Sequence, residues 1–139
     1  TGSQMLAAMA LGADGVQIGS RFAATEESSA SLIYKEEIIK ANEGDTSLTL
    51  KELAPVRLIK NQFYDEIQEL YKKGTSADEL KAHLGRGRSK KGMFEGNLLE
   101  GELEIGEVSA LIHKISTVQE VFDELILDFN KAKDTIARF

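Results

Sequence analysis

The stretch Gly15-Val16-Gln17-Ile18-Gly19-Ser20 constrains this chain more than any other. Val16 and Ile18 place β-branched bulk in a short apolar run closed by glycine at each end. That is the pattern of a strand covered on both faces, as in a parallel sheet. Gly19, at the carboxyl end of the run, leaves main-chain N–H groups open to an oxyanion, and Ser20 adds a hydroxyl donor. Ligands of parallel α/β folds bind at that end of the strands. A buried strand over 15–19 is therefore expected to run into a backbone able to hold a phosphate. A tight turn after a buried strand accounts for the same residues equally well.

Upstream, Thr1-Gly2-Ser3 precedes an alanine-rich segment, 4–11, with Met5, Leu6 and Met9 on helical spacing and Gly12 placed to end it. A helix N-terminus presents unpaired N–H groups and the positive end of its dipole. Gly2 and Ser3 thus form a second anion-friendly end, one helix and one strand from Gly19 and Ser20. This is the layout of the phosphate site in a (β/α)8 barrel, built from the loops after strands seven and eight.

The run Leu11-Gly12-Ala13-Asp14-Gly15-Val16-Gln17-Ile18-Gly19-Ser20-Arg21-Phe22-Ala23-Ala24-Thr25-Glu26-Glu27-Ser28 resembles the final barrel strand of the nitronate monooxygenase (2-nitropropane dioxygenase-like) flavoenzymes. Flavin-dependent enoyl-acyl-carrier-protein reductases share it, and IMP dehydrogenase has a similar strand. The resemblance to the first two continues through Pro55-Val56-Arg57-Leu58-Ile59-Lys60-Asn61, Leu84-Gly85-Arg86-Gly87-Arg88, Gly92-Met93-Phe94-Glu95-Gly96 and Gly101-Glu102-Leu103-Glu104-Ile105-Gly106-Glu107. Nothing after Ser28 resembles the nucleotide-binding flap of IMP dehydrogenase.

A (β/α)8 barrel takes about 250 residues, and this chain has 139. The expected fold is therefore α/β: the carboxyl-terminal part of an FMN-binding TIM barrel with an inserted, mostly helical lid. The last helix–strand unit and phosphate loop fall at 1–25, the lid at 26–113, and a terminal helix packing back on the barrel at 114–139.

Composition narrows the partners. A net charge of −6 argues against nucleic acid, and the absence of cysteine removes thiolate chemistry. No apolar run reaches the roughly 18 residues of a membrane span, and no signal-peptide pattern is present. A cytoplasmic location is the default expectation.

Along the chain, 28–41 reads as a helix with Leu32, Ile33, Ile38 and Ile39 apolar and Lys35, Glu36, Glu37 and Lys40 solvated. Two short strands follow at 47–50 and 56–60, then a helix over 61–73 stopped by Gly74. Ser76-Ala77-Asp78-Glu79 caps a short helix that reaches Leu84. The glycine-rich, charged segment 85–106 reads as loop. Thr117-Val118-Gln119-Glu120 caps a long helix whose apolar face carries Val118, Val121, Phe122, Leu125, Ile126, Phe129 and Ile136.

The resemblance implies that Gly19 and Ser20 contact the FMN phosphate, with Gly2 and Ser3 as a partial second contact. Arg21 either pairs with that phosphate or holds the loop through a structural ion pair. It places Arg57 and Asn61 in the substrate-side domain. A structural ion pair accounts for Arg57 as well. Gly106-Glu107 stands where many relatives have Gly-Gln beside flavin or substrate. A glutamate there exchanges a neutral donor and acceptor for an acceptor-only anion.

Arg86, Arg88, Lys90 and Lys91 form a basic cluster, suited either to a solvated loop or to an acidic carrier. The family's catalytic histidine belongs to an earlier strand. His83 and His113 lie outside its motif and read as structural, so no catalytic residue and no metal ligand is assigned. The implied activity is FMN-dependent oxidative denitrification of a small alkyl nitronate with dioxygen. The alternatives are an NADH-dependent reductase of acyl thioesters and a non-catalytic, phosphate-binding module. An unclosed barrel would expose strand edges and an apolar helix face, which favours a homodimer.

Overall fold

The computed structural model describes residues 1–138. It contains α1 (Gly2–Ala10), α2 (Ser20–Ala23), α3 (Leu32–Lys40), β1 (Thr46–Thr49), β2 (Val56–Ile59), α4 (Gln62–Lys72), α5 (Ala77–Leu84) and α6 (Val118–Ile136). A π-helical turn (Lys90–Phe94) and a 3₁₀ turn (Glu107–Leu111) lie between α5 and α6.

Helix boundaries follow the capping chemistry of the sequence. Thr1, Ser76 and Thr117 each open a helix with a reciprocal capping box, whose third partner is Gln4, Glu79 or Glu120. Ser31 and Asn61 cap α3 and α4 through the N–H groups of Tyr34 and Tyr64. Gly12 follows α1 with φ +100°, and Gly74 follows α4 with φ +70°, both backbone conformations that favour glycine.

β1 and β2 pair antiparallel, with Thr46 opposite Ile59 and Thr49 opposite Val56. Segment 103–105 lies along the other edge of β2: Ile59 N donates to Leu103 O at 2.9 Å and Ile105 N to Arg57 O at 3.1 Å. Alternate residues of a strand face opposite sides. Ile59 therefore enters a core with Ala24, Tyr34, Ile38, Leu103, Ile105 and Ile112, while Leu58 enters another with Leu50, Phe63, Ile67 and Leu80. β2 is the wall between the cores. The supposed loop 85–106 thus supplies core residues, because Leu103 and Ile105 pair with β2 rather than with solvent.

Further expectations are corrected, and α3 spans Leu32–Lys40, not 28–41. Segment 15–19 is not a buried strand: it belongs to no ladder, and Val16 is 40% exposed. Among the described residues no strand lies beside it to take its main-chain hydrogen bonds, and an apolar pattern cannot form a ladder alone. Lys35 is buried rather than solvated. Its ammonium donates to Glu26 O (3.1 Å) and Ser28 O (2.8 Å), which fastens the turn leading into α3.

α6 packs on α1, where the helices approach so closely that a Cβ on Gly2 would lie 2.2 Å from Leu125 O and Phe129 N. Val121 and Leu125 are buried, while Phe122, Ile126 and Ile136 of the predicted apolar face are half or more exposed. No helix is long and apolar enough to cross a membrane among the described residues.

Candidate functional site

The site is built on Gly19-Ser20-Arg21. Gly19 O accepts from Phe22 N and Ala23 N, both at 3.0 Å, and this turn starts α2. A Cβ on Gly19 would meet nothing within 4 Å, so the space beside its main chain is open. Ser20 Oγ accepts from Gly106 N at 2.9 Å. Its own proton is given to no acceptor among the described residues.

Arg21 Nη2 donates to Glu124 Oε2 at 2.7 Å, while its Nη1 is buried without a partner among the described residues. Lys114 binds the other oxygen of Glu124 at 2.7 Å. Hydrogen bonds from Lys114 and then Arg21 hold the Glu124 carboxyl below the usual carboxylate range.

Gly19 and Ser20 form part of the wall of two clefts. The first, about 760 Å³, is mainly apolar, with Val16, Ile18, Val108, Leu111 and Leu125 beside Arg21. The second, about 530 Å³, is walled by Ala30, Pro55, Val56, Met93 and Phe94, with Arg57 and Gly106 at its polar side. Tyr34 closes it from within: its hydroxyl donates to Glu104 O, and burial, with the Glu104 charge second, pushes its pKa far above the ordinary tyrosine value. The fold therefore brings Gly19, Ser20, Arg57 and Gly106 to one place from three separate stretches of chain.

The other predicted residues lie elsewhere or serve the scaffold. Ser3 N and Ser3 Oγ both donate to Asp128 Oδ2 at 2.9 Å, so the N-terminus of α1 already meets an anion, a carboxylate of α6. The Ser3 amide is the first cause holding Asp128 below its usual range. Gly2 serves the close approach of α1 to α6. Asn61 caps α4 through Oδ1, and its Nδ2 donates to Leu98 O and Gly101 O, both at 2.8 Å, which fixes the turn 98–101. Glu107 lies 3.5 Å from Arg57, and Arg57 also donates to Thr46 Oγ1 at 3.2 Å.

The basic cluster is largely spent within the fold. Arg88 donates to the carbonyls of His83, Leu84 and Glu100 and sits 4.8 Å over the Phe63 ring. Lys90 pairs with Glu95 and Lys91 with Glu100. His83 stacks on Phe63 and lies 3.2 Å from Glu66, whereas His113 is exposed at the rim of the first cleft. Sequence reading missed Tyr34, Met93 and Phe94 as walls of the second cleft. Their spacing carries no signal, since the π-helical turn and α3 meet only in three dimensions.

Two consecutive positions suit an oxyanion: Gly19 has a main chain without Cβ in open space, and Ser20 has a hydroxyl whose proton is unspent among the described residues. Arg21 Nη1 is buried beside them without a partner among the described residues.

An α/β chain with an anion-ready loop at the meeting of two clefts is the class the geometry defines. The sequence model "Nitronate monooxygenase" matches residues 1–128, and the chain belongs to that family. It is 35% identical over 115 residues to a probable nitronate monooxygenase of Bacillus subtilis, covering 81% of this chain and 33% of that protein. A second, from Staphylococcus saprophyticus, is 32% identical over 116 residues, covering 83% and 32%. The structure of FabK from Thermotoga maritima superposes with a TM-score of 0.89 at 32% identity, covering 98% of this chain and 43% of that one. The chain spans about a third of the length of the curated relatives it matches.

Proposed function

We propose that this chain is the phosphate-binding and substrate-covering part of an FMN-dependent oxidoreductase that denitrifies small alkyl nitronates with dioxygen in the cytoplasm. The observation that carries this reading is the run Gly19-Ser20-Arg21, with its open main chain, unspent hydroxyl proton and unpartnered Nη1. In this reading segment 15–19 becomes the last strand of a (β/α)8 barrel once neighbouring strands flank it. Val16 and Ile18 then leave solvent, and residues 26–113 form the lid.

Bound FMN supplies the redox chemistry between substrate and dioxygen. The residues of this chain bind and orient. The Gly19 and Ser20 amides and the Ser20 hydroxyl hold the phosphate, and Arg21 Nη1 neutralises part of its charge. The second cleft seats the substrate, its apolar walls excluding water from the alkyl group while Arg57 draws the nitronate. Glu107 tempers that attraction by sharing the guanidinium. No group of this chain is assigned the proton-abstracting role. Gly2 and Ser3 join the phosphate site only if Asp128 yields the Ser3 amide.

A second reading, an NADH-dependent reductase of acyl thioesters, is favoured by the superposition on FabK. The ion pairs of Lys90 with Glu95 and of Lys91 with Glu100 weaken it, because they reduce the positive charge that the cluster offers an acidic carrier. The third reading, a non-catalytic phosphate-binding module, predicts flavin binding without turnover.

The test is the visible spectrum of the purified protein at its full natural length, followed anaerobically. Bleaching by an alkyl nitronate alone supports the monooxygenase, and bleaching by NADH alone moves the assignment to the reductase. Bound flavin that neither reductant bleaches leaves the binding module. A protein that takes up no FMN sinks the proposal.

A further inference from the structure

Ser89 stands immediately before the π-helical turn Lys90–Phe94, and its hydroxyl reaches two carboxylates at once. Ser89 Oγ lies 2.9 Å from Glu102 Oε2 and is hydrogen-bonded to Glu104 Oε1 as well. Glu102 and Glu104 are alternate residues of the extended segment beside β2, so they share one face, opposite to the Leu103 and Ile105 that enter the core. Glu102 is buried and Glu104 half-buried. Among the described residues, Ser89 is the donor that reaches their carboxylates.

A serine hydroxyl has one proton to give, and an ionised carboxylate has none. With both carboxylates ionised, one of them faces Ser89 Oγ with no proton between the two oxygens. One added proton completes the chain: Glu102 donates to Ser89, and Ser89 donates to Glu104. The more buried carboxyl keeps that proton, because burial disfavours the charged form. Burial is the first cause raising the Glu102 pKa, opposed by the Ser89 hydroxyl and reinforced by the Glu104 charge, with Arg88 the smallest opposing influence.

The other charged groups around the pair are engaged elsewhere. Arg88 donates to the carbonyls of His83, Leu84 and Glu100, and Lys91 pairs with Glu100. From β2, Arg57 faces Glu107 and Thr46. From α3, Tyr34 gives its hydroxyl proton to Glu104 O, and Lys35 donates to Glu26 O and Ser28 O. The turn itself is pressed onto the carboxylate-bearing segment: a Cβ on Gly92 would lie 2.4 Å from Glu102 O, and Glu102 N donates to Arg88 O at 3.1 Å. Met93 and Phe94 of that turn wall the second cleft.

We propose that Glu102 and Glu104 share one proton through Ser89, and that this proton latches the π-helical turn, with Met93 and Phe94, onto segment 102–105 at the wall of the second cleft. The latch belongs to the wall itself and needs no bound flavin. A carboxyl whose pKa is raised by folding gives its stabilisation in full below the unfolded value, and that stabilisation is lost as pH rises through the folded one. Rising pH therefore parts Ser89 from one carboxylate, loosens the turn and widens the cleft.

The experiment is amide hydrogen exchange of the protein at its full natural length, read over 90–95 from about pH 4.3, the ordinary glutamate value, to neutrality, with each rate referred to its intrinsic value at that pH. Helix α4 serves as the internal control. In the parent, protection of 90–95 is expected to fall with rising pH by about tenfold for each unit by which folding raises the pKa, while α4 stays unchanged. Glu102→Gln and Glu104→Gln each supply a permanent N–H donor to Ser89 Oγ, so in each the profile is expected to be flat and high. Ser89→Ala removes the bridge and is expected to lower protection about fivefold or more at the acid end.

Protection of 90–95 that does not change with pH in the parent would overturn the proposal. So would a pH dependence that survives in both glutamine variants or in Ser89→Ala. A fall that α4 shares equally would make the effect global stability and not a latch, and would overturn it too.

Discussion

Ser20 Oγ lies 2.9 Å from Gly106 N, and through that bond the phosphate-loop candidate 19–20 is tied to a stretch 86 residues away that lines the same second cleft. A methyl group at position 106 would stand 2.7 Å from Ser20 Oγ, closer than real Cβ contacts come. Gly106→Ala is therefore expected to break the bond and cost about 1–3 kcal/mol through overpacking and a lost hydrogen bond. Urea unfolding with an unchanged m-value measures it. A loss below about 0.5 kcal/mol would mean that the contact bears no strain.

Asn61 satisfies three main-chain groups: Tyr64 N, Leu98 O and Gly101 O. Asn61→Ala removes a helix cap and strands two carbonyls. We expect a loss of about 2–4 kcal/mol, above the ~1 kcal/mol of a simple cap. Asn61→Asp keeps the cap but sets an acceptor-only carboxylate oxygen against the two carbonyls, so at neutral pH it is expected to cost at least as much as Asn61→Ala. An Asn61→Asp protein close to the parent in stability would show that the donated bonds to 98 and 101 carry little.

The Arg57–Glu107 pair is long, at 3.5 Å, and Glu107 is 70% exposed. Its loss in Glu107→Gln is expected to change stability by under about 0.5 kcal/mol. In the proposed activity the same change leaves Arg57 without its counter-anion. The KM for an anionic nitronate should fall severalfold while the KM for its neutral nitroalkane stays constant. Parallel changes in both constants would remove Glu107 from a role in charge selection.

Glu102 gives the chain a pH signature opposite to that of its capped carboxylates. Burial is the first cause raising its pKa above the ordinary glutamate value, and the Glu104 charge adds to it, against a lowering by the Ser89 hydroxyl and Arg88. An acid raised on folding stabilises the protein fully below its unfolded pKa, and that contribution is lost as pH rises through the folded value. The Glu102→Gln variant should therefore show a smaller loss of stability than the parent between about pH 4.3, the unfolded reference, and neutrality. Parallel stability curves for the two proteins across that range would contradict it.

Much of the local structure was legible in the residues because its causes are local. Ser76 and Thr117 announce their helices through side chains that bond within three residues, and Pro55 marks the approach to β2. The family was legible too, from motifs spread between Leu11 and Glu107. Gly19, Ser20, Arg57 and Gly106 stand out in the sequence as candidates, and the fold gathers them at one cleft.

The sequence by itself determined the starts of α5 and α6, the stop of α4 at Gly74 and the two short strands of the hairpin, since each depends on neighbours a few bonds away. Only tertiary structure decided that Lys35 is buried beneath two carbonyls, that Leu103 and Ile105 extend the sheet, and that Asp128 meets the Ser3 amide. It alone decided that Val16 and Ile18, strand-like in pattern, carry no ladder. A strand is completed by partners distant in the chain, and no periodicity within five residues supplies them.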